Sequence, residues 1–195
     1  MGMWRRRREF RPDRTGTGFL SKLYMTKRQR RHFLQWVLYA LVLVALSLVQ
    51  DVILCQVRLF GATTDLVSAG ILLLCMLLTT QECAVFAVSA STVYYFSGTA
   101  AGPYSILFLS VLGIFLNIFR YSYLRKSFGS TYFCAAGALV LYELLVFLTG
   151  VFLEHTVFSR IGGFCITAGL SVAVMPVLYP VFLAIGKIGG ETWKE

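Results

Sequence analysis

The sequence predicts an all-α integral membrane protein of about six transmembrane helices, and three observations predict it. Five or six apolar stretches, each long enough or nearly long enough to cross a bilayer, fill residues 33–186. Mean hydropathy is +0.73 and 57% of the residues are hydrophobic, as expected of a chain solvated by lipid and by itself. The apolar runs are also too long for the strands of a membrane barrel, which need only ~9–11 residues.

A basic arm, residues 1–32, leads to the first candidate span, Phe33 to Leu54. These 22 residues are interrupted only by Gln35, Ser47, Gln50 and Asp51; as a helix they extend roughly 33 Å, about one hydrocarbon core. Later candidates are 66–80, 83–96, 103–124, 130–153 and 161–186, separated by short polar or glycine-bearing breaks. The second and third fall short of the ~20 residues usually needed. They are expected either to cross in a thinned region or to form one re-entrant hairpin, with four or five full crossings as the alternatives to six. The transmembrane domain so defined covers 33–188, and 189–195 form a short tail.

Location gives the net charge of +9 its meaning. Eleven of the 18 lysines and arginines precede Phe33, which by the positive-inside rule holds the N-terminus in the cytoplasm. Six crossings then put the break around Arg120, Arg125 and Lys126, and the C-terminal Lys187 and Lys194, in the cytoplasm too. The arm is too long in its charged region for a signal peptide and no Ala-x-Ala site follows, so it is expected to be retained. Its arginines suit anionic lipids or a partner at the cytoplasmic face, or serve only to set orientation. No aromatic interleaving or folded module accompanies them, which argues against nucleic-acid binding.

Ionisable groups at bilayer depth are costly and are therefore functional candidates. Glu143 lies near the middle of the fifth span, flanked by Leu141, Tyr142, Leu144 and Leu145. It is expected to be protonated or paired, either as a ligand, proton or partner contact, or as a packing carboxyl bonded to Asn117 or Tyr142. Gln50 and Asp51 close the first span at the expected outer interface, with Arg58 in the loop beyond. Asn117 follows Gly113 by four residues, so both share one helix face where a neighbour can approach the glycine and bond the amide. Ala87 with Ser91, and Gly169 with Ala173, repeat the small-x-x-x-small spacing of helix-packing seams. Pro176 and Pro180 are one turn apart in the last span and are expected to bend or break it, either lining a cavity or fitting the helix to its neighbours.

Other chemistry is poorly provided for. The five cysteines have no C-x-x-C spacing, and there are only two histidines, His32 and His155; neither a disulfide framework nor a metal site is expected. No nucleophile elbow, zinc-protease motif or phosphate-binding loop occurs, so neither an enzyme nor a cofactor is predicted.

With the spans in place, the order of elements resembles the bacterial rod shape-determining MreD family. Leu59-Phe60-Gly61-Ala62-Thr63-Thr64-Asp65-Leu66 is similar to that family's Phe-Gly-x-x-Pro-Asp-Leu loop, with Thr64 at the proline position. Ser97-Gly98-Thr99-Ala100-Ala101-Gly102 resembles the tail of its third span, with Tyr94 at the place of an aspartate, and Glu143 resembles its fifth-span glutamate. The resemblance implies a multi-pass protein of the bacterial cytoplasmic membrane with both termini inside. It also implies a bundle like that of the substrate-binding S-components of energy-coupling-factor transporters. The implied role is a non-enzymatic component of the cell-elongation (rod) complex, associating with an MreC-like scaffold, MreB, and RodA and penicillin-binding-protein synthases of peptidoglycan. Gln50, Asp51, Arg58 and the Glu143 region would then dock partner helices. The alternative is an S-component of a vitamin transporter, with Tyr94, Tyr95, Tyr104, Asn117 and Glu143 around an outward pocket. Against it, Ala40 and Ala45 are five apart and do not form the Ala-x-x-x-Ala seam common on the first span of such subunits.

Overall fold

The computed structural model describes residues 27–54, 63–123 and 127–188. Among them are six α-helices: α1 (Lys27–Val49), α2 (Leu66–Leu77), α3 (Thr80–Phe96), α4 (Tyr104–Tyr123), α5 (Phe128–Phe152) and α6 (Ile161–Ile188). One wide π turn, Gln50–Leu54, ends the first helix, and a 3₁₀ turn, Phe158–Arg160, leads into the last. Arg30–Val52, α4, α5 and Phe158–Lys187 are long and apolar enough to cross a membrane. Their outward faces are apolar, with Leu41 at 60%, Phe115 at 61%, Phe133 at 75% and Val177 at 67% exposure. Large apolar side chains turned out from every long helix suit lipid as the surrounding solvent. The chain reads as a multi-pass membrane protein. Residues 1–26 of the basic arm and Arg58 lie outside the described residues; residues 27–32 begin α1.

The second helix organises the bundle. Every one of its 12 residues is buried, and it touches all five other helices. At ~18 Å it is far shorter than a bilayer core, and it is apolar all round because protein covers every side of it. It is antiparallel to α3: Asp65, before α2, meets Tyr94 near the end of α3. The third helix turns back on α4 through Ser91 and Ser110, whose hydroxyls are 2.8 Å apart. Charge is unevenly shared between the ends. Arg30, Arg31, Arg120 and Lys187 lie at one, where His32 and Glu82 pair at 2.5 Å; Asp51, Asp65, Glu143 and Glu154 lie toward the other, with Arg160 in the turn before α6.

A short helix inside a dry bundle exposes a problem at its ends, since the first N–H and last C=O groups have no intrahelical partners and no water to replace them. Neighbouring side chains solve it at both. At the start, Asp65 Oδ1 accepts from Ser68 N at 3.2 Å, and Gln50 Oε1, carried inward by the π turn, accepts from Val67 N at 3.0 Å. At the finish, Asn117 Nδ2 donates to Cys75 O at 2.6 Å and to Leu78 O at 2.9 Å. Arg120 donates to Met76 O.

Several expectations are corrected here. Arg120 does not stand in a cytoplasmic break, because α4 continues to Tyr123 and carries it, 8% exposed, onto the end of α2. The last span is not broken: α6 runs through Pro176 and Pro180, both on its exposed face. Gly169 and Ala173 are also exposed and a Cβ on Gly169 would touch nothing, so this pair packs against no helix among the described residues. The buried face of α6 is instead Ala168, Ser171, Met175, Leu178, Phe182 and Ile185.

Candidate functional site

The carboxylate end of the bundle gathers residues from five elements around Asp65. Its backbone N–H donates to Ser171 Oγ at 2.9 Å, and Tyr94 OH donates to its Oδ2 at 2.8 Å. Burial pushes the Asp65 carboxyl above its ordinary value of 3.8, against the hydrogen bonds from Ser68 and Tyr94 that favour the anion. Tyr142 lies beside Tyr94, and Glu143 is within electrostatic reach of Asp65.

Two cavities flank this centre. The first, about 350 Å³, lies between the second half of α5 and the start of α6. Glu143, Phe147, Gly150, Phe164 and Thr167 form its walls, with Thr63, Tyr104, His155, Thr156 and Arg160 toward its rim. Glu143 is 9% exposed, and its Oε1 is buried with no hydrogen-bond partner. The second is a groove of about 620 Å³ between α1 and α3. Its walls are almost wholly apolar: Trp36, Ala40, Val44 and Leu48 from one side, Phe86, Ala90, Val93 and Phe96 from the other. Trp36 meets Phe86 edge-on at 6.2 Å between ring centroids. Asp51 lines this groove, and its Oδ1 is buried without a partner.

The residues singled out by sequence thus separate. Glu143 and Asp51 line different cavities. Gln50 is 8% exposed, and its Oε1 accepts from Val67 N. Asn117 is fully buried and gives both donors of its amide to α2, not to Glu143. Gly113 meets α2 so closely that a Cβ there would lie 2.8 Å from Cys75 Sγ and 3.5 Å from the Ala87 Cβ; Ala87 and Ser91 form the facing side of α3. Asp65, His155, Arg160 and Thr167 were not singled out for the site by spacing. Asp65 carried a local signal, an Asp-x-x-Ser start to an apolar run; the other three come from separate turns and helices and share no motif. Among the described residues no group of three or more His, Cys, Asp or Glu side chains could hold a metal.

Comparison with protein-family models, curated proteins and solved structures gives no match.

Proposed function

We infer that the chain is a non-enzymatic membrane component of the bacterial cell-elongation machinery, holding partner transmembrane helices so that peptidoglycan synthases assemble on their scaffold. The basic end faces the cytoplasm on this reading, with both termini, and the arm meets anionic lipid there. The short sequences that carry the MreD resemblance support it by meeting in space: Thr63 to Leu66, Tyr94 to Gly98 and Glu143 all belong to the carboxylate end.

The observation that carries the reading is the groove between α1 and α3. It lies between two helices, and Ala40, Ser47, Ser89 and Ala90 in its lining are small enough for another backbone to come close. A lipid tail would fill its apolar length but would bring no donor to Asp51 Oδ1. A partner helix with a serine, asparagine or lysine at that level supplies both the packing and the donor, and a buried carboxylate oxygen without a hydrogen-bond partner is disfavoured.

The test is a mild-detergent pull-down of the tagged full chain from its native host, with Ala40→Trp and Asp51→Leu beside it. Recovery of an MreC-like scaffold or RodA-type synthase, reduced by both variants at unchanged membrane abundance, is the expected result. Recovery of paired ATPases with a coupling subunit would overturn the reading.

A further inference from the structure

We propose that the cavity between α5 and α6 binds a zwitterion, receiving its protonated amine at Glu143 and its acidic group at Arg160 and His155. The inference is independent of the elongation role and rests on a different wall of the bundle.

Four observations carry it. The cavity, about 350 Å³, has the size of a small-molecule site. Among its lining residues is Glu143, whose buried Oε1 nothing in the described structure satisfies, although Val67 N, Ser68 N, Cys75 O, Met76 O and Leu78 O at the ends of α2 each find a side-chain partner. A buried polar atom left open where its neighbours are paired points to an absent partner. The cavity lining also carries both signs. Glu143 lies more than two turns inside the end of α5, whereas Arg160 sits in the turn before α6, and Arg160 forms no ion pair with any described carboxylate. Phe147 and Phe164, their ring centroids 5.4 Å apart, line the same cavity and favour a ligand with an apolar body beside its charged groups.

The fourth observation is backbone geometry. Glu154 has φ 60°, and among the described residues no other non-glycine residue has a positive φ. That left-handed residue reverses the chain so that His155 N and Thr156 N both donate to Gly150 O, at 2.9 and 3.1 Å. The turn is thereby folded back over the cavity it helps to line. Gly150 eases this closure, since a Cβ there would meet Thr156 Oγ1 at 3.1 Å and press on that side chain. Strain held at the rim of a cavity is the pattern of a preorganised site.

An amine next to an acidic group occurs both in free amino acids and in the headgroup of phosphatidylethanolamine, and the cavity lies where either could reach it. The experiment separates them. The full chain is placed in phosphatidylcholine nanodiscs and its thermal unfolding followed with L-phenylalanine, phenethylamine and 3-phenylpropionate, each to about 10 mM. In a second arm the nanodiscs contain phosphatidylethanolamine, and lipid retained through native mass spectrometry is counted. The expected result is stabilisation by phenylalanine beyond either singly charged probe, or selective retention of phosphatidylethanolamine.

Glu143→Gln should weaken binding of amine-bearing probes about tenfold or more, and Glu143→Asp should retain part of it. Arg160→Gln, at an exposed residue, should leave the fold intact and remove the advantage of phenylalanine over phenethylamine. No response in either arm, a response indifferent to Glu143→Gln, or equal binding of phenylalanine and phenethylamine would overturn the proposal. Binding of a basic peptide at Glu143 with no small ligand bound in its absence would do so as well.

Discussion

Replacing Asn117 with leucine tests the structural logic of the bundle directly. The side chain is fully buried and its amide serves Cys75 O at 2.6 Å and Leu78 O at 2.9 Å. Leucine has similar bulk and no donor, so two carbonyls at the end of α2 would be stranded where no water replaces the bond. Each unsatisfied buried group costs about 1–3 kcal/mol, but hydrogen bonds between membrane helices have measured nearer ~0.6 kcal/mol, with a maximum of ~1.7. Allowing for the lower figure and the apolar gain of leucine, about 1–3 kcal/mol of lost stability is expected. Arg120 supports the same helix end through Met76 O, so Asn117→Leu and Arg120→Met should be non-additive by roughly 0.5 kcal/mol or more. Equilibrium unfolding of the full chain in bicelles, read by steric trapping, measures both quantities. A leucine variant within about 0.5 kcal/mol of the parent, a range typical of inconsequential surface changes, would refute the claim that side-chain capping holds α2 in place.

Gly113→Ala should cost about 1–3 kcal/mol through overpacking, because the new methyl would sit 2.8 Å from Cys75 Sγ. Adding Cys75→Ala should recover much of the loss in the same unfolding assay, whereas Gly137→Ala, with open space around it, should be neutral or stabilising. Glu154→Gly should raise the unfolding temperature, since glycine relieves a left-handed conformation worth about 1 kcal/mol of strain; an unchanged or lower temperature would count against that strain. Asp65 supplies a pH dependence. Because the fold raises its pKa above 3.8, its contribution to stability is fully present below that ordinary value and declines as pH rises through the folded one. Asp65→Asn should flatten its share of that slope, and an identical pH profile in the variant would refute the assignment.

The helix count was legible because long apolar runs separated by polar breaks admit few other readings. The place of each helix was not. The run Leu66–Leu77 is apolar all round, a pattern that lipid and surrounding protein produce equally well, and only its shortness and the Asp65 cap hint at the second. Gly113 and Asn117 announced a close neighbour on one face of α4, yet nothing local says that the neighbour is α2. Arg120 looked like an orientation signal because charge near a span end usually is one; its long stem and planar donor group suit it equally to capping a buried helix. Gly169 and Ala173 had the spacing of a seam, but spacing fixes a face of α6 without saying which way that face turns. The cavity beside Glu143 was the least readable feature, since its rim is assembled from turns far apart in the chain.

The dry interior also ranks the polar residues by what they leave over. Most polar groups here resolve into local structural duties: Gln50, Asp65, Asn117 and Arg120 close the ends of α2, Ser91 and Ser110 join α3 to α4, and Ser171 anchors the loop before α2. Among the described residues three buried side-chain oxygens remain unpartnered: Asp51 Oδ1, Asn117 Oδ1 and Glu143 Oε1. The Asn117 oxygen follows from turning both amide hydrogens toward α2, a cost offset by the two bonds made. The other two are carboxyl oxygens that accept no hydrogen bond among the described residues, and each belongs to a residue lining a cavity, one almost wholly apolar, the other polar-rimmed. Where the ends of the most buried helix are met by side chains, a carboxyl oxygen left without a donor beside a cavity is the group that a partner or ligand would satisfy, which is why the search for partners and ligands belongs at Asp51 and Glu143.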